Sequence, residues 1–167
     1  IAQTVQTQCM SFVTRSLINT LALKSLVPDG VHGPSHWARV LANGRRLAKT
    51  TGANLDVVEL FAVFHDSCRE NDGRDPDHGP RAADLAYKMR DDWFDLSDHD
   101  MDLLFYSCAH HTAGGTEADI TIQTCWDADR LDLGRVGITP QKHLLCTDAA
   151  RDDEMLQWAH FNRYGKF

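Results

Sequence analysis

A chain of 167 residues with 43% hydrophobic and 25% charged side chains has the material for one domain with a hydrophobic core, which excludes a disordered chain and leaves little room for a second domain. A formal charge of -7 excludes general nucleic-acid binding, because no basic stripe offsets phosphate repulsion, yet it leaves room for a small phosphorylated substrate whose charge bound metals would meet. Five cysteines, Cys9, Cys68, Cys108, Cys125 and Cys146, are an odd number without CxxC spacing. That excludes a zinc ribbon or a disulfide framework and fits a reducing, cytoplasmic interior.

Apolar residues recur at helical spacing almost throughout and strict alternation is rare, so the expected architecture is all-α: a single helical bundle over residues 1–167, with no repeat or linker. The first element, VQTQCMSFVTRSLINTLALKSL, reads as one amphipathic helix rather than a signal peptide, because Arg15 and Lys24 interrupt it. No apolar run reaches the roughly 18–20 residues that span a bilayer. VPDGVHGPS ends that helix, and SHWARVLANGRRLAKTTG forms the next, with Ser35 as its expected N-cap and Gly52 as its stop. Asn54 is placed to cap the helix carrying VVELFAVFHDSC. A polar loop, ENDGRDPDHGP, precedes the helix RAADLAYKMRDDWF, and an acidic turn leads to Ser97, the expected cap of DHDMDLLFYSCAHH. ITIQTCWDADRLDLGRVG is a short helix or an extended piece, and QKHLLCTDAARDDEMLQWAHFNRYG is the last helical stretch.

The placement of the histidines and two aspartates carries the functional signal. The apolar run Leu60–Phe64 continues directly into His65 and Asp66, and an unpaired carboxylate is costly to bury unless a counter-charge, hydrogen bonds or a metal offsets it. His36 opens a helix, His78 sits where a loop meets a helix, His110 and His111 end a helix, and Asp129 lies inside one. Helix ends are where a bundle directs several side chains into one pocket. Imidazole plus carboxylate suits first-row divalent metals, and neither HExxH nor paired CxxC is present.

The order H…HD…H…HH…D in an all-helical chain resembles the HD-domain metal-dependent phosphohydrolase superfamily. SHWARV is similar to its first-histidine helix, AVFHDSCR to its His-Asp helix and DADRL to its final-aspartate helix, over about residues 30–135. The resemblance implies that His36, His65, Asp66 and Asp129 bind one divalent metal. It further implies that His78, His110 and His111 are the extra ligands of a binuclear site, as in cyclic-nucleotide and HD-GYP phosphodiesterases. HHTAGG is similar to the double-histidine segment of the latter, but the GYP motif is missing, so cyclic-dinucleotide specificity is not implied. Manganese, iron, zinc, nickel, cobalt or magnesium would serve.

On that reading Asp66 bridges two ions, which acidify a water for attack on a phosphomonoester or phosphodiester. Arg69, where many family members carry lysine, holds the phosphate with its planar fork. Asp66 and Arg69 are thus the expected catalytic residues, with Arg81 and Arg130 as further anion ligands. A nucleotide is the expected substrate, with Trp37, Phe105 or Trp126 as a base-stacking slot, although the tryptophans read first as core.

Each residue also has a plainer reading. His65 is favoured at a helix C-terminus by the macrodipole. His78, His110, His111 and Arg69 suit solvated helix ends. Adjacent helical side chains diverge by about 100°, so on this reading only one of His110 and His111 reaches a metal. Asp127 competes with Asp129, the ADRL pattern favouring Asp129 and leaving Asp127 as a cap or supporting group. His32 is a loop residue or a supporting group, and His99, His143 and His160 are surface or packing residues. Two rival functions share the ligand set: an HD-fold di-iron oxygenase and a non-catalytic metal-containing sensor or binding module.

Overall fold

Capping chemistry sets most helix ends in the computed structural model, which describes residues 11–164 and contains no strand among them. α1 (Arg15–Lys24) starts where the Thr14 hydroxyl accepts from the Leu17 N–H, so residues 11–14 are not helical as expected, and the expected start at residues 5–10 lies outside the described residues. α2 (Pro34–Thr51) starts before the expected cap: Gly33 is its N-cap, Pro34 its first residue, and Ser35 lies in its first turn. Proline is pre-set for that position because its missing N–H would have no helical partner. Gly52 ends α2 in the left-handed region at φ 73°, and its N–H donates to Ala48 O.

The Asn54 side chain accepts from the N–H groups of Asp56 and Val57 and opens α3 (Leu55–Phe64), which is buried from Val57 to its end. Glu59, the one charged group in that buried run, is met by Arg45 Nε at 2.6 Å and by the Ser11 hydroxyl. α4 (His78–Trp93) begins earlier than expected and takes Pro80 into its first turn, where no helical hydrogen bond is lost. Ser97 caps α5 (Asp98–His110) by accepting from the Asp100 N–H. The brief alternation in ITIQTC does not make a strand: Asp119 accepts from the Thr121 N–H and starts α6 (Ile120–Arg130). A 3-10 turn at Leu133–Val136 and another at Lys142–Leu144 lead to α7 (Asp148–Arg151) and α8 (Asp153–Tyr164).

α3 is the central element, packed on α2, α5 and α6, while α4 lies along α5. Its Leu60, Phe61 and Phe64 join Trp37, Val40 and Leu47 of α2 and Met101 and Leu104 of α5 in one core. Each such side chain contributes about 1.5–3 kcal/mol by leaving water. Cys108 and Cys125 are buried thiols in this core, and burial pushes the Cys125 thiol up to about 12; Cys9 lies outside the described residues. Among the described residues no helix is long and apolar enough to cross a membrane.

One close approach matters for function. A Cβ on Gly79 would stand 2.5 Å from Cys108 O and 3.3 Å from His111 Nδ1. Only glycine lets the first turn of α4 rest on the end of α5, which is what sets His78 beside His111. Gly79→Val is expected to cost about 1–3 kcal/mol by overpacking. The corresponding fall in Tm is roughly 3–10 °C, measurable by thermal unfolding.

Candidate metal centre

Five helix ends meet at one pole of the bundle. His36 sits in the first turn of α2, His65 caps α3 at its C-terminus with Asp66 following, His78 is the first residue of α4, His111 caps α5, and Asp129 lies in the last turn of α6. All six are buried.

The imidazoles are oriented from behind. His36 Nδ1 donates to Asp132 Oδ2 at 2.7 Å, and His65 Nδ1 to Phe61 O and Ala62 O, each at 3.2 Å. His111 Nδ1 donates to Cys108 O at 2.8 Å, and His78 Nδ1 to Asp75 O. Carbonyls and carboxylates only accept, so these rings carry their hydrogen on Nδ1 and leave a lone pair on Nε2. The lone pairs then face one another: His36 Nε2 is 3.1 Å from His65 Nε2, and His78 Nε2 is 3.0 Å from His111 Nε2. Two acceptors at that distance repel unless a proton or a cation stands between them.

The carboxylates complete both groups. Asp66 Oδ2 lies 3.5 Å from both His36 Nε2 and His65 Nε2, with Asp129 Oδ1 at 3.2 and 3.7 Å from the same atoms. Asp66 Oδ1 lies 3.1 Å from His78 Nε2 and 3.6 Å from His111 Nε2. Ligand atoms about 2.1 Å from a common ion sit about 3.0 Å apart across a right angle and about 3.4 Å apart across a tetrahedral one. Both groups match those spacings, and Asp129 Oδ1 is buried without any hydrogen-bond partner. The donor set therefore fits divalent metals: His36, His65 and Asp66 form one group and Asp66, His78 and His111 another, with His65, His111 and Asp129 a third that overlaps both.

Burial, only partly opposed by the Asp66 charge, drives the His65 pKa down to about 3, so this ring is neutral and ligand-competent. Burial would raise both aspartates, but the surrounding imidazoles reverse this and hold Asp66 and Asp129 below the usual carboxylate range. His36 is raised: burial lowers it, and the carboxylates of Asp129 and Asp132 beside the ring outweigh the burial.

One expectation about the ligand set, that of His110, needs correction, while Asp127 takes the supporting place expected of it. His110 is exposed and packs at a tilt against Tyr106, ring centroids 4.3 Å apart, turned away from the centre where its neighbour His111 points. Asp127 accepts from the N–H groups of Cys146 and Thr147 at 2.7 and 2.8 Å and from the Thr147 hydroxyl, tying α6 to the start of α7. It is the supporting group and Asp129 the one in the centre.

The arginines divide similarly. Arg69 keeps one amino group, Nη1, beside His78 Nε2 and Asp66 Oδ1, while Nη2 and Nε bond the loop carbonyls of Gly73 and Asn71. Arg81 is not an anion ligand: it pins the loop through Asp75 and Cys68 O. Arg130 lines the cleft but binds the carbonyls of Leu144 and Gly115. The expected base slot is absent from the cleft. Trp37 is core and its Nε1 donates to His32 O, Trp126 is core and donates to Ser107 O, and Phe105 does not line the opening. His99, His143 and His160 are exposed.

Asp132 and Arg135 escaped the sequence reading, and His32 was expected only as a loop residue or a supporting group. Asp132, held also by Arg39 at 2.9 Å, orients His36, and its only signal was its spacing of three from Asp129 on a continuing helical turn. His32 reaches into the centre itself, its Nδ1 lying 2.8 Å from Asp66 Oδ2. Arg135 lies 3.6 Å from Asp129 Oδ1 and 3.9 Å from Asp66 Oδ2. The cleft these residues line has a volume of about 310 Å³.

Compared with models of protein families, with curated proteins and with solved structures, the chain matches none.

Elemental analysis of protein purified without chelator is expected to give close to two metals per chain, with Asp66→Ala losing both, His78→Ala losing one and His110→Ala unchanged. Metal at about a hundred times its Kd adds about 2.7 kcal/mol per site, so chelating both ions removes about 5.4 kcal/mol and should lower Tm by roughly 11–22 °C. Asp127→Ala and Asp129→Ala separate support from ligation: the first lowers Tm with metal content retained, the second loses metal from the His36–His65 group.

Proposed function

We propose that this chain is a metal-dependent phosphohydrolase that cleaves a small phosphate ester at a binuclear centre. One observation carries the reading: the two oxygens of the single carboxylate of Asp66 each face a different pair of imidazole nitrogens. The order of these residues along the chain, which resembles that of HD-domain phosphohydrolases, supports the same conclusion. Divalent ions, when bound, lower the pKa of water and neutralise charge on phosphoryl oxygens.

The chain's own groups supply the rest. His32, at the edge of the cleft, donates to Asp66 Oδ2 and fixes the rotation of the carboxylate that joins the two groups. Asp132 and the carbonyls of Phe61, Ala62, Asp75 and Cys108 hold four Nε2 lone pairs on the centre before any ligand arrives. That preorganisation avoids paying for side-chain ordering at the moment of reaction. Arg69 Nη1 points at the Asp66 Oδ1 side and is placed to hold a phosphoryl oxygen. Among the described residues no tryptophan, tyrosine or phenylalanine lines the cleft, so the recognition it offers is for the phosphoryl group rather than for a nucleotide base.

The test is turnover of p-nitrophenyl phosphate and bis-p-nitrophenyl phosphate by protein loaded in turn with manganese, iron, cobalt, nickel and zinc. Hydrolysis is expected, with Asp66→Ala slower by at least about 10³-fold. Activity of Asp66→Ala near the parent level would overturn the site assignment. Oxygen consumption by the iron-loaded form with no ester cleaved would replace hydrolysis by oxygenase chemistry. Inertness of the fully loaded protein toward the whole panel would leave a binding module.

A further inference from the structure

Arg135 is the least expected residue of the cleft. Its side chain is only 8% exposed, yet its Nε and Nη1 have no hydrogen-bond partner. The nearest carboxylate oxygens, at 3.6 and 3.9 Å, are beyond hydrogen-bond length. Its one short contact is Nη2 to His32 Nδ1 at 3.3 Å. That same nitrogen lies 2.8 Å from Asp66 Oδ2 and donates its hydrogen there, so it has no lone pair to offer Arg135. Among the described residues the whole fork is therefore without a hydrogen-bond acceptor.

The backbone beneath it is firmly placed. Arg135 N–H donates to Asp132 O at 2.9 Å, and Asp132 is held by Arg39 and by His36. Arg163 donates to Leu131 O and lies against Gly134, where a Cβ would collide with it. Asp129 and Asp66, at 3.6 and 3.9 Å, offset its charge but leave its buried N–H groups without hydrogen bonds, which costs about 1–3 kcal/mol per group. An incoming anion would accept from them.

Charge indicates which anion. Arg69 and Arg135 balance Asp66 and Asp129, and Asp132 is paired with Arg39, so each divalent ion adds uncompensated positive charge to the cleft. A dianion meets that excess better than a monoanion. Arg69 stands on the Oδ1 side of Asp66 and Arg135 on the Oδ2 side.

We infer that Arg135 binds the substrate's phosphoryl group, its guanidinium donating to the non-bridging oxygens of a phosphomonoester dianion between itself and Arg69. This rests on the phosphohydrolase reading for the chemistry, but the anion site itself is measurable without turnover. Arg135→Gln and Arg135→Lys, loaded with metal, are compared with the parent by metal content, by calorimetric titration with inorganic phosphate, and by KM and kcat for p-nitrophenyl phosphate. With full metal content, Arg135→Gln should bind phosphate at least tenfold more weakly and raise KM by a similar factor, and Arg135→Lys should recover part of both. The mono-to-diester preference, expected in the parent, should shrink in Arg135→Gln.

Phosphate affinity unchanged in Arg135→Gln at full metal content would overturn the inference. So would loss of metal in Arg135→Gln with retention in Arg135→Lys, which would make Arg135 a counter-charge for the aspartates. The two readings fail separately. Phosphate binding that depends on Arg135 without cleavage of any ester removes the hydrolase and keeps the anion site; ester cleavage indifferent to Arg135 does the reverse.

Discussion

Everything at the functional pole depends on the Asp66 carboxylate, which stands between two pairs of facing imidazoles. Burying it isolated would cost many kcal/mol. It is tolerated because His32, His36, His65, His78 and His111 surround it, and their lone pairs and hydrogens determine what else can enter. The imidazoles in turn cannot relax away from one another, since each is tied through Nδ1 to an acceptor on its own or a neighbouring element. The mutual repulsion of the Nε2 lone pairs is thus built into the fold, and a proton or a cation between them would relieve it.

The bundle provides this arrangement through its helix ends. The carbonyls that orient His65, Phe61 O and Ala62 O, belong to the last turn of α3, and Cys108 O, which orients His111, belongs to the last turn of α5. Ala62 O and Cys108 O are carbonyls of the kind a helix end leaves without backbone partners, while Phe61 O also accepts from the His65 N–H. A histidine at a helix C-terminus satisfies one of them and projects its other nitrogen outward, so the same residue finishes the helix and starts the site. The plain helix-end reading of His65 and His111 and the ligand reading are therefore compatible: Nδ1 serves the first and Nε2 the second.

This explains what was legible in the sequence. Local signals did well where they are local: Asn54, Ser97 and Gly52 act at the ends their chemistry indicates, and the apolar spacing gave an all-helical chain. The competition at ITIQTC went to the helix because Asp119 caps it and because Thr121, Ile122, Thr124 and Cys125 pack inward together. Ser35 misled because a proline beside a candidate cap takes the first helical position and moves the cap to Gly33. The supporting residues were harder. Asp132, His32 and Arg135 earn their places through contacts across 96, 34 and 103 residues of chain, and no spacing rule spans such distances.

Where neighbours on one helix compete, geometry decides. Residues two apart on an α-helix point about 200° away from one another, and adjacent ones about 100°. Asp129 faces the histidines, so Asp127 must face the opposite side, where the unpaired N–H groups that open α7 are waiting. His111 faces Asp66, so His110 must turn toward solvent and rest on Tyr106, one turn back along α5. The doubled motifs DAD and HH therefore do not hold spare ligands. In each, one residue faces the centre, and the other is given by the helix to the surface that the centre does not use.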